Sequence, residues 1–424
     1  MGMLLLVAYA ALSLLLQAVA LTSLCWMLDA WRTPRALRRT RFRAPDAPRL
    51  SFSLIVPARH EEAVLGHTLD RLAALDHPAV EIIAVVGHDD HGTWEVATAA
   101  AGRHPERVRV VLDEHWPKNK PRALNTALPH CRGEIVGVFD AEDEVAPALL
   151  GHVDTRFRAT GADAVQGGVQ LMNFRSSWWA LRNVLEYFFW FHSRLHFHAR
   201  QRFIPLGGNT VFVRRTLLEE VGGWDPDCLA EDCDLGVRLS IRGARIEVAY
   251  DPELATQEET PASLAALFRQ RTRWNQGFLQ VLRKGDWRRL PSRHQRLLAR
   301  YTLAMPFLQA VAGLLIPISL VTMVSLKAPV LLVLLFFVPL VPTLATVAVE
   351  AAGLQEFSRA YYGTRAGARD HLRLVLGTFF YQLLLAAAAT RAVARELRGS
   401  RGWEKTAHVG AHRTEPQAES EAAA

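Results

Sequence analysis

Three long stretches of this chain carry no charged residue: 1–28, 305–326 and 328–349. A run of that length is enough to span a bilayer hydrocarbon core of ~30 Å. Inside lipid the backbone must satisfy its own N–H and C=O groups, so each run reads as helix. The last two are separated only by Lys327, which implies a tight hairpin. Pro306, Pro317, Pro339 and Pro342 are positions where these helices would bend or break. A shorter run, 374–390, stands at the low end for a span. The first run is followed by Arg32, Arg35, Arg38, Arg39, Arg41 and Arg43. A cleaved leader carries its positive charge before the apolar run, so this one reads as a retained span. The positive-inside rule then puts the N-terminus outside and residue 30 onward in the cytosol, with Trp26 and Trp31 at the interface. The expected layout is a transmembrane helix over 1–30, a basic cytosolic linker over 31–49, a globular domain over 50–295 and a membrane region over 300–392. A polar tail over 393–424 is expected to be poorly ordered. Four crossings would leave the C-terminus outside, yet Arg391, Arg395, Arg398, Arg401 and Lys405 ask for cytosol. Either the last run does not fully cross or the charge rule fails there.

The net charge of +7 suits an anionic membrane surface or a phosphorylated substrate. No basic run is interleaved with a known DNA or RNA motif, so nucleic acid is not the expected partner. Four cysteines without paired spacing give neither a disulfide framework nor a zinc site.

Between the membrane runs, strand and helix patterns alternate. Strands are expected at 53–56, 80–86, 108–112 and 135–139, with helical patterns at 61–75, 94–101 and 121–128. Repeated β-α units imply a mostly parallel sheet covered by helices. The first strand is not followed by Gly-x-Gly-x-x-Gly, so the dinucleotide fingerprint is absent. The apolar run Ile135-Val136-Gly137-Val138-Phe139 ends abruptly in Asp140, Glu142 and Asp143. Carboxylates at the carboxyl end of a buried strand lie where open α/β sheets bind ligands. A hard divalent cation there would hold phosphates; the alternative is a solvated acidic turn.

Downstream, 176–198 crowds Trp178, Trp179, Phe188, Phe189, Trp190 and Phe191 into a helix-length window, read as a helix lying at the membrane interface. Its histidines, His192, His196 and His198, lack an acidic partner nearby and read as interfacial polar groups rather than a metal cluster. Gly207-Gly208-Asn209 allows close backbone approach. Glu231, Asp232 and Asp234 precede an amphipathic helix from Leu235, where acidic groups also suit a helix N-terminus. A helix over 262–280 carries Gln270-Arg271-Thr272-Arg273-Trp274.

This order of motifs resembles the membrane-bound family 2 glycosyltransferases, the cellulose, chitin and hyaluronan synthase-like group, over roughly residues 50–287. The resemblance implies a GT-A-like α/β domain, mostly parallel, flanked by transmembrane helices. It implies Mg²⁺ or Mn²⁺ at the acidic strand end, with Asp140 as one ligand and either Glu142 or Asp143 as the second. Asp232, ending Ala230-Glu231-Asp232 where the family has Thr-Glu-Asp, would be the general base on an acceptor hydroxyl. One carboxylate base and no covalent intermediate imply inversion. Gly207, Gly208, Asn209, Glu231, Gln270, Arg271, Arg273 and Trp274 would bind acceptor and diphosphate; an indole stacks on sugar and a guanidinium forks onto diphosphate oxygens. Lys120 would approach the nucleotide. Asp89 and Asp90 stand about two residues beyond the family's base-contacting pair.

The implied function is transfer of sugar from a nucleotide-diphosphate sugar to a growing β-linked polysaccharide, exported through the spans of a multi-pass cell-membrane protein whose catalytic domain is cytosolic. Two rivals stand beside it: a single-addition enzyme glycosylating a lipid carrier, and a non-catalytic membrane subunit keeping the fold. Intact Asp140, Asp232 and Trp274 argue against the second rival.

Overall fold

The computed structural model describes residues 2–31, 48–325, 329–400, 402–404 and 408–413. The basic cluster 32–43, Lys327 and the end of the tail from 414 lie outside the described residues.

Helix α1 (Gly2–Leu28) leads to the α/β domain. There β1 (Phe52–Ala58), α2 (Leu65–Ala73), β2 (Val80–Gly87), α3 (His91–Arg103), β3 (Val108–Asp113), α4 (Lys120–Ala127) and β4 (Ile135–Val138) alternate as the sequence patterns imply. In α2 the spacing of Leu65, Thr68, Leu69 and Leu72 puts a single face against the sheet, and all four are buried. Asp90 caps α3 through Thr93 N at 3.2 Å, and Asn119 caps α4 through Arg122 N at 3.0 Å.

After α5 (Leu149–Thr160) come β5 (Ala164–Gly167) and β6 (Val169–Leu171). Then follow α6 (Trp178–Phe189), a π-helical turn (Trp190–Arg194) and α7 (Leu195–Arg200). The domain continues with β7 (Val211–Arg214), α8 (Arg215–Glu220), α9 (Glu231–Ile241), β8 (Ile246–Ala249), β9 (Thr256–Glu258) and α10 (Leu264–Lys284). The main sheet runs β3-β2-β1-β4-β7-β5-β8. Its only antiparallel pairings are those of β7 with β4 and with β5. β6 and β9 form a separate parallel pair.

β4 is the middle strand and is buried throughout. At Gly137 an added Cβ would stand 2.8 Å from both Leu54 and Phe212, so the sheet closes here only over a glycine. The carboxyl ends of β1 and β4 therefore open side by side, and Asp140 stands at that edge.

The membrane region comprises α11 (Arg293–Ser325), α12 (Val330–Phe337), α13 (Leu340–Tyr362) and α14 (Ala368–Leu397). By length and composition three helices can cross a membrane: α1, α11 and α14. The apolar run after Lys327 is interrupted at Pro339, where no ring N–H can continue the helix. α14 behaves differently from the others. Near its start Asp370 pairs with Arg175; midway Tyr381 Oη donates to Glu186 at 2.6 Å; near its end Arg395 donates to Gln276 at 2.9 Å. All three partners belong to the α/β domain. α14 thus lies along that domain and also packs on α11, with Leu376 and Phe380 exposed.

Two expectations are corrected. The aromatic helix of 176–198 does not lie with its aromatic side on the membrane surface. Leu181, Val184, Leu185, Phe188 and Phe189 of α6 are buried, packed among α/β-domain residues and α13 residues such as Leu354 and Phe357. Arg182 is buried against Glu350 of α13 at 2.5 Å. Nor is the tail loose where it is described. Arg391 and Arg395 grip Glu404 at 2.6–2.8 Å, Val409 and Ala411 N–H donate to Glu259, and Arg413 reaches Thr68 Oγ1 at 2.8 Å.

Overpacking a tight core typically costs ~1–3 kcal/mol. Gly137→Ala is therefore expected to lower the melting temperature of the purified protein. A thermal scan in detergent checks it.

Candidate active site

A cavity of about 1800 Å³ opens at the carboxyl ends of β1 and β4 and continues between the membrane helices. Asp140, Glu142, Glu231, Asp232 and Glu258 line its polar end. Carboxylates in so small a volume repel one another, and burial makes each charge dearer still.

Lys120, placed by the N-terminus of α4, is the central counter-charge. Its ammonium pairs with Asp140 and donates to Gly208 O at 2.8 Å. Burial alone would lower its pKa, but Asp140, Glu231 and Asp232 outweigh that and raise it. Gly208 leaves room for this: a Cβ there would stand 3.0 Å from Asp232 Oδ2 and 3.7 Å from Lys120 Nζ. The neighbouring Gly207 would collide with the Phe191 ring at 3.0 Å. Two residues on, Thr210 holds φ +50°, strained for a β-branched side chain. Thr210 N donates to Val138 O at 2.8 Å and its hydroxyl to Thr256 at 2.7 Å, fixing the loop against β4 and β9.

The acidic strand end separates into roles. Asp143 is buried with both oxygens engaged: Oδ2 accepts Asp140 N and Oδ1 accepts Asn209 Nδ2, each at 2.8 Å. Burial, with Glu258 and Asp140 nearby, pushes its carboxyl well above the usual range. Glu142 faces the cavity and pairs with His408 of the tail at 2.6 Å. Burial opposes its ionisation, but His408 and Lys120 hold its pKa below the ordinary value. A Mg²⁺-like ion takes one or two carboxylates and completes its shell with water and substrate phosphate. Asp140 and Glu142 fit that donor set, whereas Asp143 has both oxygens engaged, by Asp140 N and Asn209 Nδ2. Among the described residues no three His, Cys, Asp or Glu side chains gather to hold an ion by themselves.

Asp232 stands in the first turn of α9, whose N-cap is Ala230 with no side-chain cap bond. Its Oδ1 accepts only the adjacent Cys233 N–H, at 2.7 Å. Burial raises its pKa above the ordinary carboxylate value against the pull of Lys120 and Arg273. Glu231 is pushed to about 7 by burial and by Asp232.

The Gln270–Trp274 segment lies on α10. Gln270 and Trp274 line the cavity, with Trp274 beside Tyr187, ring centroids 6.0 Å apart. Arg271 is committed to Glu186 at 2.5 Å and to Asn183. Arg273 has no carboxylate partner among the described residues; its guanidinium lies 4.5 Å over the Trp403 ring. The structure does not bring Asp89 and Asp90 to this cavity. Asp89 pairs with Arg59 at 2.8 Å, and Asp90 caps α3 and accepts His60 N–H. Their end of the cavity is lined instead by Asp113, Trp116 and Lys118.

Sequence reasoning missed Asp113, Trp116, Tyr187, Glu258 and His408. Asp113 ends an apolar strand, the same signal that marked Asp140. Glu258 and His408 carry no local pattern; only the fold delivers them.

The sequence of residues 48–277 matches the family described as glycosyltransferase like family 2, and the chain belongs to that family. It is by family a glycosyltransferase. Beta-monoglucosyldiacylglycerol synthase of Trichormus variabilis is 31% identical over 232 residues, 54% of this chain and 49% of that protein. Poly-beta-1,6-N-acetyl-D-glucosamine synthase of Staphylococcus epidermidis is 24% identical over 244 residues, 56% of each. The chain spans about half the length of the curated relatives it matches. A mannosyltransferase of Pyrobaculum calidifontis, solved with GDP-Man and Mn²⁺, superposes with a TM-score of 0.58 at 21% identity, over 92% of this chain and 99% of that one. The GT-A-like fold, mostly parallel and flanked by apolar helices, is thereby established.

Glu258 is pushed from 4.5 to about 8 by burial and by Glu142 and Asp140. The folded state then keeps a proton that the unfolded chain has released, so Glu258 subtracts stability as pH rises from about 4.5 to 8. Glu231 acts in the same sense. His408, raised to about 9 chiefly by Glu142, contributes stability that is also lost with rising pH. Between pH 6 and pH 8 these three groups contribute a downward slope of melting temperature, against His77, His152, His196, His198 and His412, whose pKa values, lowered by burial, contribute an upward one. Glu258→Gln, which mimics the protonated form, removes its share of the downward slope in a pH series of thermal scans.

Proposed function

We propose that this protein transfers a single sugar from a nucleotide-diphosphate sugar to the hydroxyl of a membrane lipid, with inversion, at the cytosolic face of the membrane. The observation that carries the reading is the continuity of the cavity. From Asp140 and Asp232 it runs between the membrane helices, past Leu16 of α1, Ile316 of α11, Leu340 and Leu344 of α13 and Phe379 of α14. Such an aliphatic wall suits acyl chains, whereas a hydrated glycan would leave its hydroxyls unpaired there. The relatives named as glucosyldiacylglycerol synthases support the same reading.

In the reaction the bond between the anomeric carbon and the diphosphate oxygen breaks as the acceptor oxygen bonds to that carbon from the opposite side. Asp232 takes the acceptor proton; its raised pKa makes it the stronger base. The nucleoside diphosphate leaves with the electron pair, and Lys120 and Arg273 face the charge that develops. Asp140 and Glu142 would hold Mg²⁺ or Mn²⁺, which when bound neutralises diphosphate charge. Trp274 and Tyr187 give the sugar an aromatic wall.

The side on which the chain ends turns on α14. If that helix rests on the membrane surface, the crossings are α1, α11 and the broken pair α12–α13. Three crossings from an outside N-terminus return the chain to the cytosol, where Arg391 and Arg395 belong. Polymer synthesis is the second reading, favoured by the Gln270–Trp274 motif and by the poly-N-acetylglucosamine synthase relatives.

Purified protein in lipid, given labelled nucleotide sugars, is expected to move label into organic-phase glycolipid; label in water-soluble polymer instead overturns the reading. In the same assay Asp232→Asn is expected to lose ~10²–10⁴-fold in turnover with donor affinity nearly unchanged. Asp140→Asn and Glu142→Gln should abolish metal-dependent donor binding, while Asp143→Asn weakens it by loosening Asp140.

A further inference from the structure

Most cations on the cavity wall are already paired: Lys120 with Asp140, Lys118 with Asp113, Arg59 with Asp89 and Arg271 with Glu186. Two guanidiniums on that wall have no carboxylate partner among the described residues. One is Arg273, which faces the donor diphosphate in the reading above. The other is Arg194, on the far side of the Gly207-Gly208 loop, in the π-helical turn that follows α6.

Arg194 is built in, not draped over a surface. Its Cζ lies 4.0 Å from the Trp26 ring centroid and 4.8 Å from that of Trp190. Its Nε is buried without a hydrogen-bond partner. The neighbouring Ser193 hydroxyl donates to Trp26 O, locking this turn to the end of α1. Trp26 also meets the Tyr301 ring of α11 at 5.8 Å. The hydroxyls of Tyr301 and of the adjacent cavity-lining Thr302 are buried and likewise unpartnered. Two donors without acceptors, Arg194 and the Tyr301 hydroxyl, thus meet around Trp26 where α1, the π-helical turn and α11 come together, and a third, Thr302, lines the same cavity. Two indoles offset part of the cost of a buried cation, but they do not satisfy its N–H groups. What such a cluster lacks is an anion with several acceptor oxygens.

Position narrows its class. Phe191, on the same turn as Arg194, packs on Gly207, and Gly208 touches Asp232. The cluster therefore shares its π-helical turn with the residue that packs on the Gly207-Gly208 loop. We propose that Arg194, with Tyr301 and Thr302, binds the phosphate of the acceptor lipid, and that the acceptor is an anionic phospholipid whose free hydroxyl lies a few bonds beyond its phosphodiester. This rests on the lipid-acceptor reading and specifies the lipid. The two unpaired guanidiniums then answer to the two anions of the ternary complex, one on the donor and one on the acceptor.

The test is native mass spectrometry of the full chain in detergent with dilauroyl phosphatidylglycerol or dilauroylglycerol at equal concentration. The phosphatidylglycerol is expected to be retained ~10-fold more, the scale of a charge-assisted hydrogen bond. Arg194→Gln should bring its retention down to that of dilauroylglycerol, and Arg194→Lys should keep part of the preference. Since Arg194 also cements two tryptophans, Thr302→Val is measured beside it. That change removes one hydroxyl and is expected to lower phosphatidylglycerol retention without lowering the melting temperature. Equal retention of the two lipids by the unmodified protein, or a preference that survives Arg194→Gln, overturns the inference and leaves the lipid-acceptor reading standing. If neither lipid is retained or glycosylated, both fall together.

Discussion

Six carboxyl groups, those of Asp140, Glu142, Asp143, Glu231, Asp232 and Glu258, are packed around one end of a single cavity, and the arrangement of the rest depends on how their repulsion is met. Lys120 takes Asp140, the tail takes Glu142 through His408, and burial raises the pKa of Asp143, Glu231 and Glu258. No apolar packing requires such a concentration of acid. It is a site that stabilises the protein poorly on its own, as expected of one built for the cation and diphosphate proposed above. The architecture that keeps it together is a buried middle strand, a loop of two glycines and a strained threonine.

The membrane and the chemistry are joined by one continuous element. α6 is buried between the catalytic sheet and the membrane helices, held by Arg182 and Glu350 on one side and by Glu186, Arg271 and Tyr381 on the other. Its π-helical turn brings Trp190 and Arg194 to the end of α1 while Phe191 packs on Gly207. An acceptor drawn from the bilayer would meet this turn just before it meets Asp232. That coupling explains why a soluble-looking α/β domain shares so much of its core with helices that reach the membrane.

The sequence carried the parts of this that are local. An apolar strand stopping at Asp140 pointed to the ligand end of an open sheet, against the alternative of a solvated acidic turn, and the resemblance carried by the acidic and Arg-Trp motifs pointed to Asp232, Arg273 and Trp274. Asp89 and Asp90 were misplaced because a strand-end carboxylate and a helix cap look alike in sequence; here Asp90 accepts the N–H of Thr93. The aromatic density of α6 suits lipid and core equally, so only the neighbours decide. α14 is apolar enough to cross, and its tertiary bonds to the α/β domain at both ends were not legible. His408 lay in a polar tail with nothing nearby to mark it, since its partner Glu142 is far off in sequence.

The account stands on the acidic cavity being a cation site that a nucleoside diphosphate completes. The most direct measurement is the melting temperature of the protein with UDP or GDP in MnCl₂, against NaCl at equal ionic strength. The account predicts a rise with manganese that saturates and that disappears in Glu142→Gln. An equal melting temperature in the two salts, or a rise that persists in Glu142→Gln, would contradict it.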